Sequence, residues 1–326
     1  MKKIVIDTLG SDKGEEEIVR GVILSKRKVD NDFMYILFGN EENIRSVFLK
    51  ENEPLDGYEI HDSPLIDENV IHDVMSMFRF KEHCSMVDAL EYAKKDEEAL
   101  GVVSTGSTGM LLVSSILHMG MLKGVSFPAL ATFLYNIKGN LFCLLDCGAN
   151  IEIREDKLFQ FAQLGVALMR SYRGIENPRV GLLNVGKEEN KGDSLRRAAY
   201  PLFQNSGFNF VGNIEGNDVF LDKVDVVACD GFSGNMILKN AESVAMICKS
   251  IAMRNGDEKT AKQIYDSFGY TELGGAVIVG TKKPIVKAHG ASNSKTVISV
   301  IDDIIRLSEN NFIVNMEKEL ERHSIN

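Results

Sequence analysis

Six consecutive residues, Ser104-Thr105-Gly106-Ser107-Thr108-Gly109, bring four side-chain hydroxyls together with two glycines. A short apolar run ends at Ser104, and the apolar segment Met110 to Met119 follows Gly109. A strand that leads straight into a helix leaves several backbone N–H groups unpaired and sets a partial positive charge there. Gly106 and Gly109 let the backbone come close to a ligand. Such a stretch suits an anion, most simply phosphate. It also suits a tight turn with an N-cap, and the residues alone leave both readings open.

Other polar clusters recur where apolar strand patterns end. They are Asp7 to Asp12 with Gly10, Asp146 to Asn150, Asn184 to Gly192 with Lys187, Asp230 to Asn235, and His289 to Asn293. Asp7, Asp146 and Asp230 could hold Mg²⁺ with a phosphate, but capping of nearby loops is the reading preferred here. No metal or cofactor is called for. His289, at a helix start, is either a proton donor or a loop histidine. Lys187 and Lys191 flank two glutamates and either touch an anion or face water. The fingerprints G-x-G-x-x-G, G-x-x-x-x-G-K-[ST] and G-x-S-x-G are absent, which disfavours dinucleotide, P-loop and α/β-hydrolase chemistry. Cys143 and Cys147 are four apart in an apolar pattern without a nearby His, which is poor zinc geometry.

These clusters need a scaffold. Strand patterns alternate with helical ones along the chain, which predicts an α/β fold with a largely parallel sheet covered on both faces. Ligands of such sheets bind beyond the carboxyl ends of the strands, where the clusters fall, so a shared crevice is expected. Two runs, Pro128 to Leu134 and Leu141 to Leu145, break the alternation as an antiparallel pair. The spacing predicts a short helix over His72 to Phe80, a buried helix over Asp156 to Arg173, and a long one over Met236 to Met253. The last carries Ile237, Ala241, Val244, Cys248 and Ile251 as a stripe suited to a helix–helix seam, internal or across a dimer. With Glu258 to Phe268 it makes a helical hairpin at about 236–268. The polar tail from Phe312 is predicted as a surface helix. No repeat or linker interrupts residues 1–326, so a single domain is expected.

The chain has 326 residues and a net charge of -10, which argues against general nucleic-acid binding. No apolar run reaches the roughly 18 residues of a membrane span. Met1-Lys2-Lys3 runs directly into a strand pattern, so no secretory leader is read. The five cysteines read as reduced thiols, mostly in the core.

Taken together, Asp7 to Asp12, Ser104 to Gly109, Leu144 to Asn150, Asn177 to Gly186, Cys229 to Asn235 and Ala288 to Asn293 resemble the signature segments of the phosphate acyltransferase family of phospholipid synthesis (the PlsX family). The order and spacing match over nearly the whole chain. The resemblance implies conversion of acyl-[acyl carrier protein] and inorganic phosphate to acyl phosphate and free carrier. It implies a Rossmann-like α/β/α sandwich akin to isopropylmalate dehydrogenases and phosphotransacetylases. It also implies a cytoplasmic homodimer working near the membrane, and a membrane acyltransferase that takes acyl phosphate to glycerol 3-phosphate. Ser11 and Ser107 depart from the usual family residues. By loop position, Ser104, Thr105, Gly106, Ser107, Thr108 and Gly109 are assigned to phosphate. Asn184, Asp230 and Asn235 are assigned to orienting phosphate or the carbonyl, His289 to the proton, and Asp7, Gly10, Asp146, Asn150, Lys187 and Asn293 to the substrate. Arg196 and Arg197 with Lys187 and Lys191 form the densest basic cluster, expected to meet an acidic carrier. A phosphotransacylase using acyl-CoA and an inactive relative that only binds the carrier are the alternatives.

Overall fold

The computed structural model describes residues 1–29, 33–64, 83–268 and 275–322. The helix expected over His72 to Phe80 lies outside them. The chain forms two compact units, Met1–Pro128 with Leu273–Glu309, and Ala129–Glu272 with Asn310–Asn326.

The first unit starts with β1 (Lys2–Asp7), α1 (Glu15–Lys28), β2 (Phe33–Gly39), α2 (Glu41–Lys50) and β3 (Tyr58–Asp62). It continues with α3 (Ser85–Lys95), β4 (Ala99–Ser104) and α4 (Thr108–Ser114), whose last turn widens into a π-helical segment at Ser115–Met119. The second unit holds β5 (Ala129–Tyr135), β6 (Leu141–Leu145), α5 (Glu155–Arg173), β7 (Arg179–Leu183), α6 (Ser194–Gln204), β8 (Asn209–Ile214) and β9 (Val226–Ala228). The helices α7 (Gly231–Arg254) and α8 (Glu258–Phe268) follow. The chain then returns to the first unit with β10 (Gly275–Val279), β11 (Ile285–Ala288) and α9 (Ser294–Glu309), and closes in the second with α10 (Phe312–Arg322).

In the first unit the strands lie in the order β3-β2-β1-β4-β11-β10, all parallel except the β10–β11 pair. In the second the order is β5-β6-β9-β7-β8, with β5–β6 the antiparallel pair that the sequence predicts and the rest parallel. This is the expected α/β class with a largely parallel, unclosed sheet. The strands are apolar throughout because both faces are covered: Ile4, Val5, Ile6, Val102 and Val103 are fully buried, as are Phe142, Val226 and Val227.

Helix sequences follow their burial. On α1, Ile18, Val19, Val22 and Ile23 face inward, with Glu15 to Glu17 in the first turn and Lys26 to Lys28 in the last, which complements the helix dipole. Helix α5 is buried over most of its surface, as its composition predicts. Two predictions change. Helix α7 begins at Gly231, not Met236, so Gly231 to Asn235 form its first turn. The tail helix α10 is seated on the fold: Phe312, Met316 and Glu319 are buried, and Arg170 of α5 pairs with Glu319.

Candidate functional site

In the first unit, β1, β4 and β11 lie side by side, and the register sets Asp7 opposite Ser104 and Ser104 opposite Lys287. All three are nine-tenths buried or more. The Ser104 hydroxyl donates to Asp7 Oδ2 at 2.6 Å and accepts from the Gly106 N–H at 3.2 Å. Thr105 is buried, and its hydroxyl donates to the Leu9 carbonyl at 2.9 Å. Gly10, at φ +90°, backs onto the same loop: a Cβ there would stand 2.7 Å from Gly106 Cα. Two of the four expected hydroxyls therefore hold the loop together. Ser107 and Thr108 are half-buried, Gly109 is exposed, and the Ser107 side chain makes no capping bond to α4.

The loop after β11 packs on the loop after β1. The Asp12 N–H and the Ser11 hydroxyl both donate to the Gly290 carbonyl. His289 is exposed. Its Nδ1 accepts the Ala291 N–H at 3.1 Å, which puts the proton of the neutral ring on Nε2. Asn293 caps α9, its Oδ1 accepting from the N–H groups of Lys295 and Thr296.

Burial dominates the electrostatics here. It lifts the Asp7 carboxyl from its ordinary value to about 6, despite the Ser104 and Ser85 hydroxyls. It presses the Lys287 ammonium down to about 8, with Asp7 and Asp12 opposing. Lys287 is not among the residues that the sequence singles out. A lysine inside an otherwise apolar core strand is the signal that could have found it.

In the second unit Asp146 is fully buried. It accepts from the N–H groups of Leu130, Ala149 and Asn150 and from the Asn150 side chain. Asn150 in turn offers its carbonyl to the Gly231 N–H at 2.7 Å. Gly234 sits so close that a Cβ would lie 1.9 Å from the Asp146 carbonyl oxygen. Asp230 is the N-cap of α7, its Oδ1 accepting the Ser233 N–H at 2.9 Å. Its Oδ2 accepts from the Ser233 hydroxyl and from Arg196 Nη2. Burial works against the Asp230 charge, but these bonds and the guanidinium hold its carboxyl below the ordinary value. Asn235, one turn on, lies beside Gly148. Asn184 organises its own loop, accepting the Val185 N–H and donating to the Lys191 carbonyl. Lys187 pairs with Asp218 at 3.2 Å and lies near Glu215.

The expected basic cluster is not a uniform surface. Arg196 is 12% exposed and fully engaged, donating also to Asp193 and to the Leu183 carbonyl. Arg197 donates to the Gly192 carbonyl. A cavity of about 810 Å³ opens above Arg196 and Asp230. Ile151, Ile153, Leu183, Val185, Phe232 and Ile237 are among the side chains that line it. Ile151, Val185 and Phe232 are among the exposed large apolar residues of the chain. Glu152, Asp193 and Asp230 face the cavity against the single guanidinium of Arg196, so it disfavours an anion and suits an apolar guest.

Comparison with known proteins adds identity to this geometry. Residues 2–315 match the family model described as fatty acid synthesis protein. The phosphate acyltransferase of Thermoanaerobacterium thermosaccharolyticum is 35% identical over 331 residues, covering 98% of this chain and 97% of that protein. The phosphate acyltransferase of Caldanaerobacter subterraneus subsp. tengcongensis is 37% identical over 335 residues, with 98% and 97% covered. Among solved structures, a branched-chain phosphotransacylase from Enterococcus faecalis superposes with a TM-score of 0.64 at 16% identity, covering 94% of this chain and 99% of that one. That likeness concerns the fold.

Proposed function

The chain belongs to the phosphate acyltransferase family, a family of transferases, and we propose that it converts acyl-[acyl carrier protein] and inorganic phosphate to acyl phosphate and free carrier in fatty acid and phospholipid synthesis. The observation that carries the reading is the pairing of chemistries on one chain. The Ser104–Gly109 stretch presents Ser107, Thr108 and backbone N–H groups suited to phosphate, and an apolar cavity in the second unit suits an acyl chain.

In this reaction a phosphate oxygen attacks the thioester carbonyl, the new C–O bond forms and the C–S bond breaks. The proton of hydrogen phosphate ends on the carrier thiol. The reaction needs no protein nucleophile, so the protein works by positioning and by stabilising the oxyanion. The candidate nucleophiles fit that role poorly. Burial holds the Cys147 thiol well above its ordinary value, and Ser233 is tied to Asp230 and Arg196. His289, exposed and with its Nε2 protonated when neutral, is assigned to proton delivery to the leaving thiolate. Asp146, Asn150, Asn184, Asp230 and Asn293 act on the substrate through the loops and helix starts they fix. Asn235 and Lys187 are assigned to direct contact.

Helix α7 exposes Val244, Ile247 and Ile251, a stripe we assign to a homodimer seam. Five free cysteines fit a reducing cytoplasm, from which the product would pass to a membrane acyltransferase. The test is to mix the chain with acyl-carrier thioester and phosphate, and follow acyl phosphate by mass and carrier thiol by titration. Equal amounts of both are expected. Preference for acyl-CoA by kcat/KM moves the reading to a CoA-dependent phosphotransacylase, and carrier binding without turnover moves it to an inactive relative.

A further inference from the structure

A lysine is almost never buried without a partner. Lys287 is 8% exposed, yet among the described residues no carboxylate stands within ion-pair distance of it. Its ammonium donates instead to two backbone carbonyls, those of Ala288 and Thr105, the latter at 3.5 Å. The Thr105 bond decides what the lysine does. The Thr105 carbonyl and the Gly106 N–H belong to one peptide group. That N–H donates to Ser104 Oγ, and Ser104 Oγ donates to Asp7 Oδ2. The Thr105–Gly106 peptide of the phosphate stretch is thus held between a buried cation at its oxygen end and, through Ser104, a buried carboxylate at its nitrogen end. Lys287 and Asp7 are linked through that peptide and the Ser104 hydroxyl and not by direct ion pairing.

This arrangement has two consequences. The peptide plane is fixed, because turning it would break bonds at both ends. The positive charge also lies directly behind the stretch, while the Asp7 charge is shared out to Ser104, Ser85 and the Leu9 N–H. A buried ammonium whose neighbours are neutral carbonyls is incompletely compensated, and an incoming anion completes it. We propose that Lys287 is a positioning residue for phosphate: it locks the Thr105–Gly106 peptide and supplies the fixed charge that sets phosphate affinity. The proposal rests on the assignment of Ser104–Gly109 to phosphate.

Among the described residues, the titratable and charged groups around Lys287 are few. Asp7 ends β1, and Asp12 lies in the loop that follows. Cys84 stands near Asp7, its thiol pushed up to about 11 by burial. His289 is exposed in the loop after β11, and β4 and β10 set Ser104 and Ala276 opposite the lysine. An alkaline limb near pH 8, where free phosphate is already a dianion, therefore belongs to Lys287.

The experiment measures phosphate binding by calorimetry on the full chain without thioester, and then steady-state kinetics with phosphate varied. In wild type, affinity is expected to fall as pH rises past about 8. Lys287→Met should weaken phosphate binding about tenfold or more, and raise KM for phosphate far more than it lowers kcat. Lys287→Arg keeps the charge, should restore most of the affinity, and should lose the alkaline limb. An unchanged phosphate Kd in folded Lys287→Met overturns the proposal, as does an alkaline limb that persists in Lys287→Arg. If the methionine variant does not fold, the wild-type and arginine profiles decide. A wild type that binds phosphate but does not turn over the carrier thioester sinks the functional reading and leaves this one standing.

Discussion

Asp7 and Asp230 stand at equivalent places, each at the carboxyl end of a core strand, and their surroundings do opposite things to them. Asp230 is held below its ordinary pKa by Ser233 and the Arg196 guanidinium; burial raises Asp146 beside it, as it raises Asp7, but Asp146 takes three backbone N–H groups and a side-chain amide. Those carboxylates are saturated with fixed donors. Asp7 is lifted to about 6, and its opposite charge, Lys287, is depressed to about 8. The second unit uses buried charge to fasten loops to helix starts. The first keeps a pair whose charges cost stability, the usual mark of a site arranged for a ligand rather than for the fold.

The largest effect should come from breaking the saturated side. Arg196→Met leaves Asp230 buried without its cation and should cost about 3–5 kcal/mol in urea unfolding. A loss below about 1 kcal/mol would erase the contrast drawn above. Next comes the pH dependence of the unsaturated side. Because the folded-state pKa of Asp7 is raised, its contribution is most favourable below its ordinary value and is lost as pH rises through about 6. Relative to Asp7→Asn, wild type should lose up to about 3 kcal/mol between pH 4 and pH 7. Lys287 carries the complementary sign: its penalty is full below about 8 and is relieved as pH rises toward 10.5. Lys287→Met should therefore unfold at no lower urea concentration than wild type at pH 7, and a clear destabilisation would show that the lysine serves the fold. Chemistry without stability is the third expectation. His289→Gln should lower kcat about 100-fold and leave the unfolding midpoint in place, because the ring is exposed. An unchanged kcat would remove His289 from proton transfer. The smallest effect is on α7, where Ile247→Glu should shift a dimer toward monomer in sedimentation while turnover at high protein concentration persists.

The same contrast explains what could be read from the sequence. The alternation of strands and helices, the β5–β6 hairpin and the buried α5 were legible, since period and apolar content dictate them locally. The start of α7 was not. Gly231-Phe232-Ser233-Gly234-Asn235 has the composition of a loop, and it is helical because Gly234 packs on the Asp146 carbonyl and Asp230 caps the turn. Arg196 and Arg197 read as a basic surface. Only the fold turns Arg196 inward to Asp230, a residue far along the chain. Lys287 was hidden for the same reason, because its meaning depends on strands whose residues are distant in sequence. The division into two units was equally silent, as no linker or change of composition marks Pro128.

The first unit is built from two stretches of chain separated by nearly all of the second. Strand β4 has β1 on one side and β11 on the other, and β11 is translated long after it. About 180 residues intervene, so at ~5–20 residues per second the nascent chain carries one edge of β4 uncovered for roughly 9–36 s. That edge is apolar and of the kind that pairs with strangers. During synthesis the burden of keeping it apart falls on the ribosome surface and on chaperones, so expression yield should respond to chaperone supply more sharply than the stability of the finished protein would suggest.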